Sequence, residues 1–533
     1  MSTSADRMPA GIPFIVANEF AERFCYYGVN AILTVYLVNF LHFGDAQATT
    51  WQSLFKSAAY FFPVLGAIVS DVFLGKFKTI ILFSLAYVAG CTTLALVGSP
   101  GGIAVGLGLM AFGTGGIKPC VSTNVGDQFT TQNQHLIERA FSYFYFSINA
   151  GSSISILLCP WLLNHYGRLP AFGISAIAMG LATLVFWLGR KRFAVVPPAG
   201  RAWLGELFSK DGLALIGRLL AIYVFVALFW ALWDQSNGQT WTLQAMSDLM
   251  DKRLFGFLAG VPGGAALASL EILPAQLQVF NGLFILAMIP IFSFGVYPLM
   301  GVFFKVTPLR KIGIGLFVTA SSFLVVAWIE AQIQSGRVVS LWWQVFAYVI
   351  LTAGEVLVSI TALEFSYKQA PLKMKSFIMS LFLLSISIGN LFTGAVNYYM
   401  VRPLPATQVE TGAQTFARFA DASKLVEGQK IDFAGDTGVT VTVEGKAQPL
   451  AGTWLLDGID VASGRAQLLD AIHRQPVASE GAYKPDGAQA STYALVGPAY
   501  FLFFAEVLGA GALLYIVVAV LYREKTFVRG AEA

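Results

Sequence analysis

The chain has 533 residues, of which 56% are hydrophobic and 14% aromatic, while only 12% are charged. With a mean hydropathy of +0.66, it is too apolar to be a soluble globular protein. Its formal net charge is only +4, from 34 basic and 30 acidic residues, and this small excess identifies no partner. The apolar composition indicates that the lipid bilayer is its solvent, and we expect no nucleic-acid partner.

Six apolar runs, each long enough to cross a bilayer core of about 30 Å, occupy the first part of the chain. They cover residues 13–41, 52–72, 79–97, 101–123, 140–164 and 170–190. Six more follow a polar, proline-containing stretch, at 216–236, 279–304, 310–331, 341–366, 376–400 and 496–521. We therefore predict an all-α membrane protein with twelve transmembrane helices in two six-helix bundles.

This pattern divides the chain into five segments. The first bundle occupies 1–190, a cytoplasmic linker 191–215, and helices seven to eleven 216–400. An extracytoplasmic insert covers 401–495, and helix twelve with a cytoplasmic tail covers 496–533.

Basic residues are concentrated in the short loops of one side of the membrane. That side carries Lys76, Lys78, Arg190, Lys191, Arg192, Lys305, Arg310, Lys311, Lys368, Lys373, Lys375, Arg523, Lys525 and Arg529. The opposite short loops offer little beyond Arg168 and Arg337. The positive-inside rule then predicts that both termini are cytoplasmic.

The insert at 401–495 is polar and rich in Gly and Asp, and residues 439–443 alternate Val with Thr. Alternation with a period of two predicts a strand, so we expect a small β-containing domain. A mostly disordered loop is the alternative. The four cysteines, Cys25, Cys91, Cys120 and Cys159, all lie in apolar runs, which makes disulfides unlikely.

The first helix contains charges that a bilayer disfavours. Glu19, Glu22, Arg23 and Tyr26 are spaced i, i+3, i+4 and i+7, so they share one helix face. Two carboxylates beside one guanidinium leave an excess negative charge, which indicates a glutamate that accepts a proton. The alternative is an ion cluster at the cytoplasmic edge.

Two further buried charges suggest a ligand with two poles. Lys118 lies in the fourth run and Glu355 in the tenth, with no oppositely charged residue beside Glu355 in the sequence. A cavity between the bundles would then be cationic on one side, through Arg23 and Lys118, and anionic on the other. A di- or tripeptide fits such a gap, although a protein group could instead neutralise Glu355.

Other charged and aromatic residues in the runs require partners or surroundings on neighbouring helices. Arg218 and Asp234 are 16 residues apart in the seventh run, about 24 Å along a helix, so each needs a partner elsewhere. Aromatic residues could line side-chain pockets, although ordinary helix packing is the favoured explanation for any one of them. They are Tyr26, Tyr27, Tyr60, Tyr145, Trp230 and Trp233.

Residues 19–28 resemble the ExxERFxYYG motif of the proton-coupled oligopeptide transporters, the POT or PTR family of the major facilitator superfamily. Residues 66–79 and 141–151 are similar to two further signatures of that family. In the second half, 229–235, 241–244 and 363–367 look closer to animal peptide transporters than to typical bacterial members. The resemblance covers all twelve helices and excludes the insert.

The resemblance implies roles for matching residues. Glu22 would be the main proton site, coupled to Arg23 with Glu19 beside it, and Lys118 would bind the peptide carboxylate together with Arg23. Glu355 would bind the peptide amino terminus. The peptide backbone would be bound by Tyr26, Tyr60, Asn149 and Asn281.

Three departures from the family pattern modify this expectation. Asn30 replaces an arginine that is common in the first helix, and Ser53 stands where animal members carry a histidine. Asp234, which that histidine would contact, becomes a candidate second proton site. Ser293 replaces an aspartate, which leaves Arg218 without its expected partner.

The predicted function is proton-driven import of di- and tripeptides, and of peptide-like drugs, by alternating access. Asp71, with Gly75, Lys76 and Lys78, would form part of a cytoplasmic gate, and Arg218 and Asp234 would also take part in gating. The proton is the coupling ion; we expect no cofactor, no metal and a monomer. No Asn-x-Ser/Thr sequon occurs, which favours a bacterial inner membrane.

Three alternatives stay open. A related proton symporter could carry an amino acid, a drug-like solute or nitrate, although nitrate needs no anionic anchor. A membrane-embedded enzyme is disfavoured because the four histidines are scattered near loops and no nucleophile motif occurs. A peptide sensor that signals without transport is the third.

Overall fold

The computed structural model describes residues 7–130, 132–194, 197–198, 209–369, 375–423 and 425–522. Lys373, Arg523, Lys525, Arg529 and most of the predicted linker lie outside the described residues. We call the end of the molecule that carries residues 401–495 the insert end, and the opposite end, where the linker joins the bundles, the linker end.

The first bundle consists of six long helices. They are α1 (Ile12–Asn39), α2 (Asp45–Ile68), α3 (Lys76–Leu96), α4 (Pro100–Asp127), α5 (Ile137–Tyr166) and α6 (Arg168–Leu188). A π-helical turn, Val69–Leu74, extends α2. Gly75 then ends it with φ of 75°, a left-handed conformation that favours glycine.

The second bundle begins with α7 (Lys210–Ser236) and is more interrupted. Short helices α8 (Thr240–Met246) and α9 (Ala265–Ala268) lead to α10 (Val279–Ile291), which continues through a π turn into α11 (Tyr297–Phe303). The next are α12 (Pro308–Gln334) and α13 (Leu341–Glu355), and a second π turn joins α13 to α14 (Thr361–Gln369). Helices α15 (Lys375–Tyr399) and α16 (Pro498–Leu521) complete the bundle.

Eleven helical segments of the described residues are long and apolar enough to span a membrane. Helix α1 is not among them because Glu19, Glu22 and Arg23 lower its hydropathy, yet its 28 residues extend about 42 Å and give a twelfth span. The fold class predicted from the apolar runs is confirmed.

Glycines allow the helices of the first bundle to approach closely. A Cβ atom on Gly66 would lie 2.2 Å from the carbonyl oxygen of Gly115, and one on Gly115 would lie 2.3 Å from the Cβ of Phe62. Helices α2 and α4 are therefore in backbone contact at this level. The four cysteines are buried as free thiols in the same bundle.

The insert folds into two antiparallel sheets. Besides the short pair β1 (Met250–Asp251) and β2 (Val339–Ser340) in the second bundle, the chain forms strands β3 to β12 between Val401 and Tyr493. They are β3 (Val401–Pro403), β4 (Ala406–Glu410), β5 (Phe416–Phe419), β6 (Lys430–Gly435), β7 (Val439–Val443), β8 (Lys446–Pro449), β9 (Gly452–Asp460), β10 (Arg465–Asp470), β11 (Ala478–Gly481) and β12 (Ala488–Tyr493). The seven-stranded sheet has the order β3-β12-β6-β9-β10-β5-β4, and the three-stranded sheet the order β11-β7-β8.

The alternation of buried and exposed side chains explains why strands form in the insert. In β7, Val439 and Val441 are buried against a core that includes Phe433 and Trp454, as the Val/Thr pattern predicted. The disordered-loop alternative is wrong for the described part of the insert, because it has its own hydrophobic core.

The insert contacts both bundles. Lys430 Nζ lies 2.5 Å from Asp45 Oδ2 at the start of α2, and the Asp45 amide donates to Thr453 Oγ1 at 2.9 Å. In the second bundle, the Asp248 amide donates to the carbonyl oxygen of Ile472 at 3.0 Å. The insert thus bridges the bundles at the insert end.

Candidate functional site

A cavity of about 540 Å³ lies between the two bundles in the half of the molecule near the linker end. It extends from Arg23 and Lys118 at mid-span to Asp71 and Tyr367 near the linker end. Of the residues singled out from the sequence, it is lined by Glu19, Arg23, Tyr60, Asp71, Lys118 and Trp230. The two bundles therefore share one chamber, and its wall carries two acidic, two basic and two aromatic residues of the predicted set.

The charges of α1 form the cluster expected from their spacing. Arg23 Nε donates to Glu19 Oε1 at 2.7 Å and lies 3.1 Å from Glu22 Oε2. Glu22 is fully buried and does not line the cavity, whereas Glu19 and Arg23 do. One guanidinium therefore joins a carboxylate at the cavity wall to a carboxylate behind it.

Helix α4 supplies two groups on one face, four residues apart. Thr114 donates a short hydrogen bond to Glu22 Oε1. Lys118 Nζ lies 4.2 Å from the ring centre of Tyr26 and 3.8 Å from that of Tyr60. Although buried, this ammonium forms no hydrogen bond with a described residue. Aromatic faces, and not the acids of α1, thus hold Lys118 directly.

Glu355 is the last residue of α13, and the chain continues from it into a π-helical turn. Its Oε2 accepts hydrogen bonds from Trp233 Nε1 at 2.9 Å and from Asn281 Nδ2 at 2.7 Å. No described cation pairs with it. Glu355 does not itself line the 540 Å³ cavity, although Ser359, one helical turn further along, does.

At the insert end, polar groups hold the bundles together. Lys56 Nζ lies 3.2 Å from Asp234 Oδ1 and donates to the carbonyl oxygens of Asp234, at 2.9 Å, and Asn237, at 2.7 Å. Asn390 donates to Asp234 Oδ2 at 2.6 Å, and Asn30 donates to Asn237 Oδ1 at 3.0 Å. We call this group the insert-end lock; it separates the cavity from the insert end. It consists of Lys56, Asp234, Asn237, Asn30 and Asn390.

Sequence reasoning did not identify Lys56, which is fully buried. A lysine inside the apolar run 52–72, one turn from Ser53 and one turn from Tyr60, was the available signal. It supplies a cation to Asp234.

Other expectations are not met in this conformation. Tyr145 is exposed, and the Asn149 amide donates to the Tyr145 carbonyl of its own helix. Tyr27 and Asn281 also lie off the cavity wall. Tyr145 and Asn149 do not line the cavity because α5 presents Phe144 and Ile148 to it. The Asn281 amide is instead bound to Glu355.

The gating residues are also differently placed. Lys76 forms an ion pair with Asp127 of α4 and not with Asp71, which lines the cavity. Arg218 is exposed and forms no ion pair with a residue that the structure describes. Its partner therefore stays unassigned, and a gating role for Arg218 gains no support.

Curated relatives of this chain are animal solute carriers. It is 38% identical over 374 residues to solute carrier family 15 member 2 of Danio rerio, with 61% of this chain and 50% of the relative covered. To member 1 of the same family in Homo sapiens it is 33% identical over 387 residues, covering 61% and 52%. The chain thus spans about half the length of the curated relatives it matches.

Solved structures extend the similarity. The in meso crystal structure of the POT family transporter PepTSo is 34% identical, with a TM-score of 0.67, and 74% of this chain and 90% of that chain are covered. An auto inhibited POT family peptide transporter is 28% identical, with a TM-score of 0.71, and 98% and 99% are covered. That second similarity includes the insert.

A family model provides the assignment. The model described as "PTR2: POT family" matches residues 77–210 and 207–410, more than half of the chain. These relatives are named as carriers or transporters, in agreement with the prediction that the chain is not an enzyme. The cavity between two bundles, the α1 cluster and these matches together identify the chain as a member of the POT family.

Proposed function

We propose that this protein is a proton-coupled symporter that imports di- and tripeptides by alternating access. The observation that carries the proposal is the cavity between the bundles, where a buried lysine that forms no hydrogen bond with a described residue faces a carboxylate–guanidinium cluster. Support also comes from relatives named as peptide transporters.

The first step concerns the peptide carboxylate. Among the described residues, the faces of Tyr26 and Tyr60 hold Lys118 and none forms a hydrogen bond with it, so an incoming carboxylate can bind its ammonium without breaking such a bond. A charge-assisted hydrogen bond is stronger than the cation–π contacts that it would supplement. Arg23 would provide the second cationic contact once it is released from Glu22.

The second step concerns the proton. Glu22 holds Arg23 at 3.1 Å, and a neutral carboxyl group attracts a guanidinium far less than a carboxylate does. Protonation of Glu22 would therefore release Arg23 toward the cavity and the peptide. Proton binding and peptide binding then favour each other, as a symporter requires.

The third step concerns the peptide amino terminus. Among the described residues, Glu355 accepts hydrogen bonds from the neutral donors Trp233 and Asn281 alone. Its negative charge is therefore stabilised by dipoles but not paired with a described cation. An ammonium group is the missing partner. We propose that a bound peptide reaches Glu355 through rearrangement of the cavity wall near Ser359.

Alternating access gives the insert-end lock its role. We propose that the insert end faces outside and the linker end the cytoplasm, in agreement with the basic residues near the linker end. The conformation is then closed to the outside by Lys56 and Asp234, with its cavity on the cytoplasmic side. Asp234 is the candidate second proton site, because its neutralisation would weaken this lock.

Purified protein in liposomes tests the proposal. We expect an imposed pH gradient, acid outside, to drive uphill uptake of labelled dialanine, and a protonophore to abolish it. Unlabelled di- and tripeptides should compete, whereas nitrate and free amino acids should not. Competition by nitrate or an amino acid alone would instead indicate a related carrier, and binding without uptake would indicate a sensor.

Glu22→Gln is the decisive variant. It should lose gradient-driven accumulation but retain peptide counterflow, because exchange needs no net proton movement. Glu364→Gln is the matched control, since Glu364 is exposed and pairs with Lys368 on its own helix. Uphill uptake by Glu22→Gln would remove Glu22 from the mechanism.

A further inference from the structure

Among the residues that the structure describes, Thr114 is the one neutral side chain that forms a hydrogen bond with the Glu22 carboxyl group. Its hydroxyl donates to Glu22 Oε1, while Arg23 approaches the other oxygen, Oε2. Thr114 and Glu22 are both fully buried, on different helices. The two oxygens of the carboxyl group are thereby divided between a neutral partner on α4 and a charged partner on α1.

The backbone around Thr114 is fixed by glycines. A Cβ on Gly113 would lie 2.7 Å from the Phe83 carbonyl oxygen, and one on Gly116 would lie 2.1 Å from the Phe83 ring. Gly115 packs equally closely on the other side, against Phe62 of α2. Because α4 is held between α2 and α3 at this level, the Thr114 hydroxyl is directed at Glu22 before any ligand arrives.

Other ionisable groups surround Glu22. They are Glu19, Arg23, Cys25 and Tyr27 on α1, Tyr87 on α3, and Lys118 on α4. The Tyr87 hydroxyl lies 3.5 Å from the backbone oxygen of Glu22 and does not bond to its carboxyl group. Arg23 is the only other described residue that contacts a Glu22 carboxyl oxygen.

A hydroxyl group can serve both protonation states of a carboxyl group. It donates to the carboxylate, and it accepts from the neutral carboxylic acid after rotation of its hydrogen. An arginine can only donate, so it loses its charged partner when Glu22 takes up a proton. The two contacts of Glu22 therefore respond differently to the same proton.

We propose that Thr114 is a positioning residue for proton coupling: it holds the Glu22 carboxyl group against α4 in both protonation states, so that proton uptake releases Arg23 alone. This inference rests on the proposed function and adds a residue to it. Without Thr114, ionised Glu22 loses a donor, and neutral Glu22 is free to follow Arg23 toward the cavity.

The test compares pH profiles of gradient-driven dipeptide uptake in liposomes. In Thr114→Val the pH of half-maximal uptake should rise by about one unit, because the ionised form of Glu22 loses a hydrogen bond to a charged group. Thr114→Ser, which keeps the hydroxyl, should match wild type. The control is Thr183→Val, since Thr183 is also buried but bonds only to the Met179 carbonyl of its own helix.

If Thr114 had a merely structural role, Thr114→Val would alter the pH profile with or without the Glu22 carboxyl group. Our inference instead predicts that adding Thr114→Val to the Glu22→Gln variant leaves the pH dependence of counterflow unchanged. A persisting shift there, or an equal shift in Thr183→Val, would overturn the inference, as would a Thr114→Val profile that superimposes on wild type. If Thr114→Val does not assemble, Thr114→Cys, with its weaker donor, should give a smaller shift in the same direction, and an unshifted profile would count against the inference.

The two proposals fail in distinguishable ways. Wild-type protein that shows no gradient-driven uptake contradicts the proposed function and this inference with it. Normal wild-type uptake with an unshifted Thr114→Val profile contradicts the role of Thr114 alone.

Discussion

Glu22 and Glu355 are two membrane carboxylates with contrasting surroundings. Glu22 shares Arg23 with Glu19 and accepts a hydrogen bond from Thr114. Glu355 has only an indole and an amide as donors. A buried carboxylate stabilised by neutral dipoles gains more from an arriving cation than one that is already paired. The contrast favours Glu355 for binding a substrate ammonium.

Glu355→Gln tests that contrast. Wild type should take up free dialanine at least tenfold better than N-acetyl-dialanine, because only the free peptide pairs with Glu355; a tenfold difference corresponds to about 1.4 kcal/mol. The variant should lose most of this preference, as measured by competition in counterflow. Glu330→Gln is the control, since Glu330 accepts from Gln244 away from the cavity. An unchanged preference in Glu355→Gln would refute the assigned role.

Residues on one helix could be related from the sequence alone. The i, i+3, i+4 spacing placed Glu19, Glu22 and Arg23 together, and the structure joins them. Partners on different helices could not be derived in this way, because the spacing of residues along one helix does not specify which face of another helix it packs against. Thr114, the aromatic contacts of Lys118 and the Lys56–Asp234 pair are of this second kind, and Lys56 was missed for that reason.

Among the elements, the insert shows how far alternation can be used. The pattern at 439–443 predicted a strand, and β7 occupies the same residues. The strand order could not be predicted, because β6 pairs with β9 and β12, far away in the chain. Pairing at long range depends on side-chain packing across the sheet, which a single strand does not encode.

Strand β6 carries a carboxyl group whose charge opposes folding of the insert. Burial raises the pKa of Asp432 to about 7, and the nearby carboxylate of Asp45 adds to this effect. Because the folded form binds this proton more tightly than an unfolded chain with the ordinary value of 3.8, stability is lost as the pH rises from about 4 to about 7. The loss amounts to at most about 4 kcal/mol.

Asp432→Asn should abolish this dependence. Hydrogen exchange of β6, β9 and β12 in the full-length protein should show protection that falls between pH 4 and pH 7 in wild type, but stays level in the variant. The exposed Asp436, whose pKa is lowered by its hydrogen bond to Lys484, provides the control, and Asp436→Asn should keep the wild-type fall. If protection in Asp432→Asn fell with pH as it does in wild type, Asp432 would be excluded as the source of the pH dependence.

In the whole molecule, the Lys56–Asp234 ion pair joins the bundles at the insert end, whereas the Lys430–Asp45 ion pair joins the first bundle to the insert. Lys56 and Asp234 are buried, whereas the bond from Lys430 to Asp45 is partly exposed and runs through the insert. Removing one partner of a buried pair costs about 3–5 kcal/mol, and removing an exposed pair about 0–1 kcal/mol. The lock therefore contributes more to closure of the insert end than the insert does.

Labelling of an introduced thiol compares the two contacts. Ser387→Cys places a reporter on α15, where the native hydroxyl bonds to Ser57 across the closed interface. In this background Lys56→Met should speed labelling from the insert side more than tenfold, and Lys430→Met less than about fivefold. Lys368→Met at the linker end is the control. Faster labelling in Lys430→Met than in Lys56→Met would reverse the ranking.

The pairing of the first and last strands of the insert has a consequence for the history of the chain. Val401 lies opposite Tyr493 in the antiparallel pair of β3 and β12, so the domain enters and leaves the bundle through adjacent points about 5 Å apart. A short turn could rejoin α15 to α16 if the domain were excised. A single insertion or deletion event could thus add or remove this module between two membrane helices while their packing stays as it is.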